Sequence, residues 1–582
     1  MNITINSMNR LITVDSNQWL SDLSDEDTID TTFDDSVYIL SLNKIMDNTD
    51  NTTSKLNSLF NDLNLDTDCE SINTEVTDQV WQMSDITDTC SGFSDVTIDD
   101  SNSQTMDDSK NGFDINVLNE YCFIHLMSFM CFKDLMTLRS ANKYMKSLVE
   151  NYLKCKRKLK FINSFAKQNI NIETTKALAT DLVVSTNDSK TDQILTLMTQ
   201  LCPNLDSLEM IYITIDEPIV EVLTKNFYDV KQLSFAHPLG LTEDNIELIV
   251  NYFGAQLIGL TLTDCDISED CLYTVINVCP NLQSLDISGN VDITGDCFEY
   301  LNSNLLVLRL SQCDSIQEYG LKALVSSDCR QSLVELVISG MISDYMIKLI
   351  CESLLNLRSF QCVYGCTREL DSKTDHLSII GNLSRLEWLS LQEIDAYFGS
   401  LDDKCLYNIL SCCNRLKYLE LHIGSGEPLL VTDQSLSMIA NYCPEIECLK
   451  IYYFEALTDR TLNSFSKLKH LRELELINLY NITDDGITII TEQCTRLTKL
   501  WISFDGNCDS ITNITLSACI SMCKNRPKSL IEVNFFETCI TVPFNVKIPS
   551  NMRLRVSWYR PTPEGRRYTE IRLPNDRHSV TI

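Results

Sequence analysis

One frame of apolar residues returns along the chain and limits what it can fold into. In the stretch Leu282 to Ile287 it reads Leu-x-x-Leu-x-Ile, with Cys279 three residues ahead of its first position. The spacing of successive first positions runs from 23 residues (Leu282 to Leu305) to 33 residues (Leu497 to Leu530). Tandem units of this length predict a solenoid, in which each unit packs only on its neighbours. The thirteen first positions are Leu205, Val230, Leu257, Leu282, Leu305, Leu333, Leu357, Leu386, Leu416, Ile446, Leu471, Leu497 and Leu530.

Each unit is predicted to contain a strand, a turn and a helix. The alternation in Leu285-Asp286-Ile287 buries one face of a short strand. Turns such as Ser268-Glu269-Asp270 and Thr458-Asp459 place a hydroxyl where it caps the next helix and an acid at the positive end of its dipole. We therefore expect an α/β solenoid, a leucine-rich-repeat horseshoe of about 13 repeats over residues 196–545. Its strands would line a concave wall and its helices a convex wall.

Charge divides the chain into regions. The net charge is −34, and residues 1–112 hold 23 Asp/Glu against 4 Lys/Arg. Low hydrophobicity with high net charge predicts that residues 1–112 are disordered. Residues 546–582 have the opposite sign, with 8 Lys/Arg against 3 Asp/Glu, and are predicted to form a basic C-terminal tail or cap. So acidic a chain disfavours nucleic acid as a partner.

The 25 cysteines are explained by the repeats rather than by disulfides. Cys202, Cys279, Cys413, Cys443 and Cys494 each precede a first position by three residues, where a free thiol acts as a small buried apolar group. The N-terminus lacks the layout of a signal peptide, and no apolar run is long enough to span a bilayer. These observations predict a reducing, cytoplasmic and/or nuclear location, no membrane association and no metal or other cofactor.

Residues 113–160 have a different apolar pattern, which predicts two or three short helices. The segment resembles an F-box. The family opens with Leu-Pro-x-Glu, matched without the Pro by Leu118-Asn119-Glu120, and continues with Leu126-Met127-Ser128-Phe129-Met130 and Asp134-Leu135. Ala141-Asn142-Lys143-Tyr144-Met145 ends the motif, with Met in place of its signature Trp. A helical end cap of the solenoid is the alternative for this segment, and a helical linker is predicted over 161–195.

An F-box followed by cysteine-containing repeats resembles the F-box/leucine-rich-repeat family, the substrate receptors of SCF ubiquitin ligases. The resemblance implies that the F-box binds the Skp adaptor, and through it cullin, while the repeats bind a substrate for ubiquitination and degradation. It also implies that the chain is a non-catalytic subunit. The residues implied for adaptor binding are Leu118, Glu120, Ile124, Leu126, Met127, Phe129, Met130, Asp134, Leu135, Leu138, Ala141, Lys143 and Met145.

The repeat frame predicts which side chains face the concave wall. In the early repeats these residues are small or polar, as at Ser207, Gly259 and Ser284, and from Leu386 onward they become large or charged. Exposed aromatic residues often anchor protein interfaces. The alternative is that large residues only fill the curve of the wall or pack under the C-terminal tail. The residues predicted to bind the substrate are Trp388, Tyr418, His422, Lys450, Tyr452, Lys499 and Trp501.

No catalytic constellation is recognisable in the sequence. It has no Gly-rich phosphate loop, no well-spaced metal ligands and no nucleophile that can be paired with a base. Two other functions stay open. One is a repeat scaffold that binds a partner without ubiquitin transfer, and the other is a leucine-rich GTPase-activating protein that supplies an Arg or Asn to a bound nucleotide. Adaptor binding would separate the receptor from the scaffold, and stimulated GTP hydrolysis would indicate the third.

Overall fold

The computed structural model describes residues 127–128, 130–163, 181–186, 191–340, 342–364, 377–393, 401–422, 431–542, 546–562, 565–573 and 580–581. The acidic segment 1–112 and the opening of the F-box-like motif lie outside these residues. The chain divides into two units, Met1–Lys154 and Cys155–Ile582.

The described part of the first unit contains two helices, α1 (Phe132–Ala141) and α2 (Lys143–Lys154). The Asn142 side chain accepts a hydrogen bond from the backbone N–H of Met145 (2.8 Å), which caps the start of α2. Arg139 of α1 donates from Nε (3.0 Å) and Nη2 (2.8 Å) to Oε1 of Glu150 in α2, so an ion pair joins the two helices. The buried side chains of the pair are Phe132, Leu135, Met136, Met145, Leu148, Val149, Tyr152 and Leu153.

The second unit is built on one sheet, in which the structure describes 18 strands. The sheet begins at β2, which pairs with β1, and β1 pairs with β3. Each strand from β3 to β15 then pairs in parallel with the next, so that β16 is the last parallel strand. Strands β17 and β18 return antiparallel. The strands are β1 (Lys158–Asn163), β2 (Asp181–Thr186), β3 (Ser207–Ile211), β4 (Gln232–Ala236), β5 (Gly259–Thr263), β6 (Ser284–Asp286), β7 (Val307–Leu310), β8 (Glu335–Ser339), β9 (Ser359–Tyr364), β10 (Trp388–Glu393), β11 (Tyr418–His422), β12 (Cys448–Tyr452), β13 (Glu473–Ile477), β14 (Lys499–Cys508), β15 (Ile531–Thr538), β16 (Met552–Thr562), β17 (Gly565–Leu573) and β18 (Val580–Thr581).

Helices alternate with these parallel strands. Three of the repeats contain a 3₁₀ helix, at Asp296–Tyr300, Asp328–Gln331 and Leu377–Asn382. The α-helices are α3 (Thr191–Leu201), α4 (Glu217–Asn226), α5 (Glu243–Phe253), α6 (Glu269–Val278), α7 (Glu318–Ser326), α8 (Asp344–Ser353), α9 (Asp403–Cys412), α10 (Asp433–Leu436), α11 (Ile439–Tyr442), α12 (Asp459–Phe465), α13 (Asp484–Gln493) and α14 (Asn513–Asn525). The α/β leucine-rich-repeat solenoid predicted from the sequence is confirmed.

The predicted frame matches the thirteen strands β3 to β15, with one exception. Each strand, together with the segment that connects it to the next strand, forms one repeat of the solenoid, here called a coil. The side chains at the second and third positions of the frame, such as Leu285 and Ile287, are buried in every one of the thirteen coils. At the thirteenth coil the first position is wrong, because Leu530 is 49 % exposed and Ile531 is buried beside it. The backbone N–H of Ile531 bonds to the carbonyl of Asn551 (2.8 Å), and Asn551, rather than an apolar residue, holds the equivalent place in the next coil.

The sheet extends beyond the predicted repeats at both ends. The prediction of a helical linker over 161–195 is wrong for the described residues 161–163 and 181–186, because they are strands of β1 and β2. Leu159 and Phe161 align with Leu208 and Met210, the second and third positions of the frame. Lys156 occupies the first position, where the frame requires an apolar residue, so the sequence pattern does not identify this coil. At the other end, β16 adds a parallel strand and β17 turns back, so part of the basic segment 546–582 ends the sheet.

The five cysteines that precede a first position of the frame fill the core as predicted. Cys202, Cys279, Cys413, Cys443 and Cys494 are free thiols and fully buried. Several donate to carbonyls of the preceding coil, as Cys443 does to Cys413 (3.4 Å). Burial raises the pKa of Cys443 to about 12 and that of Cys494 to about 11, so both stay protonated at neutral pH.

A repeated bond links consecutive coils near the start of their helices. In Thr432-Asp433, Thr458-Asp459 and Thr483-Asp484 the Thr hydroxyl caps its own helix, as predicted. The following Asp instead accepts from the next coil. Asp433 accepts from the backbone N–H (2.9 Å) and the hydroxyl (2.5 Å) of Thr458, and Asp459 accepts from Thr483 in the same way. We call this series the Asp ladder.

Within the part of the chain that the structure describes, no helix combines the length and apolar composition needed to cross a bilayer. The same residues contain no group of His, Cys, Asp and Glu side chains arranged to hold a metal ion.

Candidate protein-binding face

The sheet has one face that points away from the helices, here called the sheet face. Its side chains alternate along each strand with the buried positions, and the parallel registers align them in three rows across the coils. All seven residues predicted to bind the substrate fall in these rows, while their role in binding stays a prediction. The rows through the late coils are Trp388, Tyr418, Cys448, Glu473 and Lys499; Ser390, Glu420, Lys450, Glu475 and Trp501; and Gln392, His422, Tyr452, Ile477 and Ser503.

An aromatic stack stands at the start of the late rows. The rings of Trp388 and Tyr418 are parallel within 5° and their centroids are 3.4 Å apart. Tyr418 is 8 % exposed and Trp388 is 42 % exposed, so Tyr418 supports an indole that remains open to solvent. The Tyr418 hydroxyl donates to Oε2 of Glu420 (2.5 Å), and Lys450 Nζ lies 5.7 Å from the Tyr418 ring centroid. Burial and the bond to Glu420 raise the pKa of Tyr418, so it remains a neutral donor.

Glu475 is the centre of a second cluster on this face. Its carboxylate is buried, and it lies 3.0 Å from Lys499 Nζ and 3.6 Å from Lys450 Nζ. The Tyr452 hydroxyl donates to the same carboxylate (2.8 Å). Burial disfavours the charged form of Glu475, but the two ammonium groups and the hydroxyl outweigh it and lower its pKa. The cluster therefore fixes both lysines rather than leaving them free to bind a ligand.

His422 lies between two tyrosines, and the sequence pattern identified only one of them. Tyr452 is in its row, with ring centroids 5.6 Å apart. Tyr453 follows the strand in a left-handed conformation (φ 66°) and stacks on His422 with centroids 5.1 Å apart. The same position, seven residues after the first apolar residue, also has positive φ at Tyr212, His237 and Asn478. A simple alternating frame does not contain this shared turn, so it does not identify Tyr453 as a neighbour of His422.

Trp501 is the second tryptophan that the frame placed on this face. Its ring centroid is 6.0 Å from Lys499 Nζ, and it is partly buried. The indole Nε1–H is buried and has no hydrogen-bond acceptor in the described structure. Trp501 therefore offers less surface to a partner than Trp388 does.

The early part of the sheet face carries smaller side chains, but its cations are also paired with acids. Lys158 and Lys160 both pair with Glu209 (3.1 and 2.7 Å). Arg309 pairs with Glu335 (2.7 Å) and lies 3.8 Å from Asp286. Together with Lys450 and Lys499, these five cations, which strands β1 to β14 place on the sheet face, are each paired with an acid of the same face. Their charge is neutralised within the protein.

The residues that the F-box resemblance implies for adaptor binding fall into three groups in the structure. Leu118, Glu120, Ile124, Leu126 and Phe129 lie outside the described residues. Met127, Leu135 and Met145 are buried, so they support the helices instead of facing a partner. The remaining residues have accessible surface: Met130, Asp134 and Leu138 are half-buried, and Ala141 and Lys143 are exposed.

No protein-family model matches the chain. By sequence it is 25 % identical over 304 residues to the Schizosaccharomyces pombe DNA repair protein rhp7, covering 48 % of this chain and 50 % of that protein. It is 24 % identical over 281 residues to the Caenorhabditis elegans protein EEED8.10, named provisionally as RNA-binding, covering 47 % of this chain and 33 % of that protein. The chain thus spans half or less of the length of these relatives.

Two solved structures match the chain at low sequence identity. One is a chain of the yeast Rad7–Elc1 complex, with 19 % identity, a TM-score of 0.46 and coverage of 64 % of this chain and 88 % of that chain. Another is the internalin inlF of Listeria monocytogenes, with 14 % identity, a TM-score of 0.36 and coverage of 63 % of this chain and 94 % of that chain. At these identities the likeness concerns the fold alone.

Proposed function

We propose that this chain is the substrate-recognition subunit of an SCF-type ubiquitin ligase, acting in the cytoplasm and/or nucleus. The F-box-like segment 113–160 would bind a Skp adaptor and through it cullin, and the sheet face would bind a protein substrate. The observation that carries the substrate half of the proposal is the exposed indole of Trp388, held in place on the buried ring of Tyr418. A rigid, supported aromatic residue on an open face is typical of the anchors of protein interfaces.

The electrostatics of the sheet face favour a protein partner over a nucleic acid. Binding a phosphate backbone requires lysines or arginines that are free to replace counterions. The five cations named above are instead paired with acids of the same face, as Lys450 and Lys499 are with Glu475. A protein surface that supplies aromatic, apolar and basic groups matches this face better.

The mechanism in this proposal is proximity, and the chain itself is not an enzyme. Holding the substrate next to a cullin-bound conjugating enzyme raises the effective concentration of a substrate lysine at the site of transfer. The solenoid suits this role because each coil packs on its neighbours, so the sheet face provides a long, continuous surface.

Capture of a purified adaptor by the full-length chain tests the proposal. The relative rhp7 is named a DNA repair protein, and yeast Rad7 was crystallised with Elc1, so a Skp-type adaptor and Elc1 are both used as baits. We expect the Skp-type adaptor to be captured. The double variant Met130→Asp, Leu138→Asp should lose capture at least tenfold, because it places two unpaired carboxylates on half-buried apolar positions of the predicted docking surface.

The matched control is Leu248→Asp, which adds a carboxylate at an exposed leucine of the solenoid helix α5 and should bind the adaptor like the wild type. Circular dichroism checks that each variant is folded. Capture of neither bait by a folded wild type would contradict the proposal and favour a repeat scaffold without ubiquitin transfer. Capture of Elc1 alone would replace the Skp adaptor in the proposal.

A further inference from the structure

A gap one strand wide lies beside the outer face of Trp388. The registers place Glu335, Ser359 and Trp388 in one row, on β8, β9 and β10. Neighbouring strands are about 4.8 Å apart, so the backbones that carry Glu335 and Trp388 are separated by about 10 Å. The side chain between them is the small hydroxymethyl group of Ser359. The inner face of Trp388 is covered by Tyr418, so its outer face borders this gap.

The opposite wall of the gap carries excess negative charge. Arg309 donates from Nε to Oε1 of Glu335 (2.8 Å), and its Nη2 lies 2.7 Å from the same oxygen. Among the described residues no donor bonds to the second oxygen, Oε2. Asp286 lies 3.8 Å from the same arginine, so two carboxylates share one guanidinium. Glu335 therefore retains both an oxygen and part of its charge for a ligand.

We propose that this gap, the Trp388–Glu335 slot, binds an arginine side chain of the protein partner. The inference deepens the proposed function and rests on it only in that a protein partner lies on the sheet face. A guanidinium stacked about 3.5 Å from the indole plane would stand above Ser359, where the Glu335 carboxylate can accept its N–H groups. A planar guanidinium fits better than an ammonium because it stacks on an aromatic face and is more weakly hydrated. Partner segments that present an accessible arginine are thus the expected substrate class.

The occupants to distinguish are an arginine, a neutral planar group and an apolar side chain. The Trp388 indole stacks with all three, so binding to Trp388 alone does not identify the ligand. A neutral planar group can also donate an N–H to the carboxylate of Glu335, but only a cation adds ionic attraction to that bond. Glu335→Gln keeps the volume of the side chain and leaves Arg309 beside Asp286, so the variant should fold and lose only the charge.

The experiment uses the full-length chain labelled with 5-fluorotryptophan and observed by ¹⁹F NMR. The Trp388 resonance is assigned by its loss in Trp388→Phe. The probes are the capped tripeptides Gly-Arg-Gly and Gly-citrulline-Gly, since citrulline has the shape of arginine without its charge. We expect the arginine peptide to shift the Trp388 resonance and to bind about tenfold more tightly than the citrulline peptide. Glu335→Gln should weaken the arginine peptide about five- to tenfold.

The control variant is Glu473→Gln, which removes an acid from the same row three coils beyond Trp388 and should leave the affinity unchanged. Equal affinity for the two peptides, or no effect of Glu335→Gln, would overturn the arginine slot, as would an unmoved Trp388 resonance. Adaptor capture distinguishes a failure of the slot proposal from a failure of the proposed function. If the adaptor is captured but the peptide does not bind, only the slot is refuted. If the peptide binds but no adaptor is captured, the ligase proposal is refuted and the slot stands.

Discussion

The early coils, with strands β3 to β8, and the late coils, with strands β10 to β14, repeat one frame but carry different sheet faces. Their buried positions are equivalent, and Leu285 and Leu449 are both fully buried second positions of that frame. On the sheet face the early coils place small residues such as Gly259 and Ser284, whereas the late coils carry the Trp388–Tyr418 stack and the cluster around Glu475. The comparison shows that burial defines the coil, while the alternating positions are free to carry a binding surface.

The two halves also join their coils differently at the helix starts. In the early half a long acid bridges to the next coil, as Glu269 does to the backbone N–H groups of Thr294 (2.8 Å) and Cys297 (2.8 Å). In the late half the Asp ladder uses a shorter side chain, and its hydroxyl bond is closer, 2.5 Å from Thr458 to Asp433 against 3.2 Å from Thr294 to Glu269. A short side chain has fewer rotamers and fixes the distance between coils more tightly. The late coils thus combine the most regular connections with the bulkiest sheet face.

The largest expected effect is the loss of one step of the Asp ladder. Asp484 accepts from the N–H (2.9 Å) and hydroxyl (2.6 Å) of Thr512, and from the N–H (3.1 Å) and hydroxyl (2.5 Å) of Thr515. Asp484→Ala leaves these donors without their acceptor and should lower the local free energy of opening by about 3 kcal/mol. Hydrogen exchange of the α14 amides measures it. Asp485→Ala, at the exposed neighbouring acid, should change the exchange of these amides little. Equal effects of the two variants would contradict a stabilising role of the Asp ladder.

Acid should weaken the Asp ladder progressively. Burial disfavours the charged forms of Asp433 and Asp484, but hydrogen bonds from the next coil outweigh it and lower both pKa values. A carboxylate whose pKa is lower in the folded chain stabilises the fold above its unfolded pKa, about 3.9, and this stabilisation is lost as the pH falls through the folded pKa. The urea midpoint should therefore decline as the pH is lowered below about 4, and less steeply in Asp433→Asn. Asp244→Asn, at an exposed acid of the early half, should retain the wild-type dependence.

The smallest expected effect on stability comes from Trp388, the residue on which the proposed binding depends most. Trp388 is 42 % exposed, so Trp388→Ala should change the free energy of unfolding by less than about 1 kcal/mol. Tyr418→Ala should cost about 2–3 kcal/mol, because it empties a buried position and removes the closer of the two hydroxyl donors of Glu420, leaving only Ser390. Urea unfolding of the two variants compares these costs. A large destabilisation by Trp388→Ala would indicate that the stack serves the fold rather than a partner.

The sequence predicted the solenoid because each coil repeats a local rule. Alternation identifies the buried face of a strand, and thirteen copies of the frame set the register of the strands and the rows of the sheet face. The rule failed where a coil satisfies its core differently. Lys156, which is 1 % exposed, replaces the first apolar residue before β1, and Asn551 replaces it before β16 by donating to the carbonyls of Cys523 and Ser529. The frame therefore does not identify either coil, and the sequence predicts a helical linker over 161–195 and a tail or cap in place of β16.

The sequence by itself determined which positions are buried and which side chains share the sheet face, because both follow from spacing within a single unit. Only the tertiary structure decided how those side chains pair between units. Asp433 bonds to the next coil instead of its own helix, Trp388 stacks on Tyr418, and Lys450 and Lys499 share Glu475. These partners lie about one repeat apart in the chain. Their contact depends on parallel registry and side-chain direction across neighbouring strands, which no pattern within one unit contains.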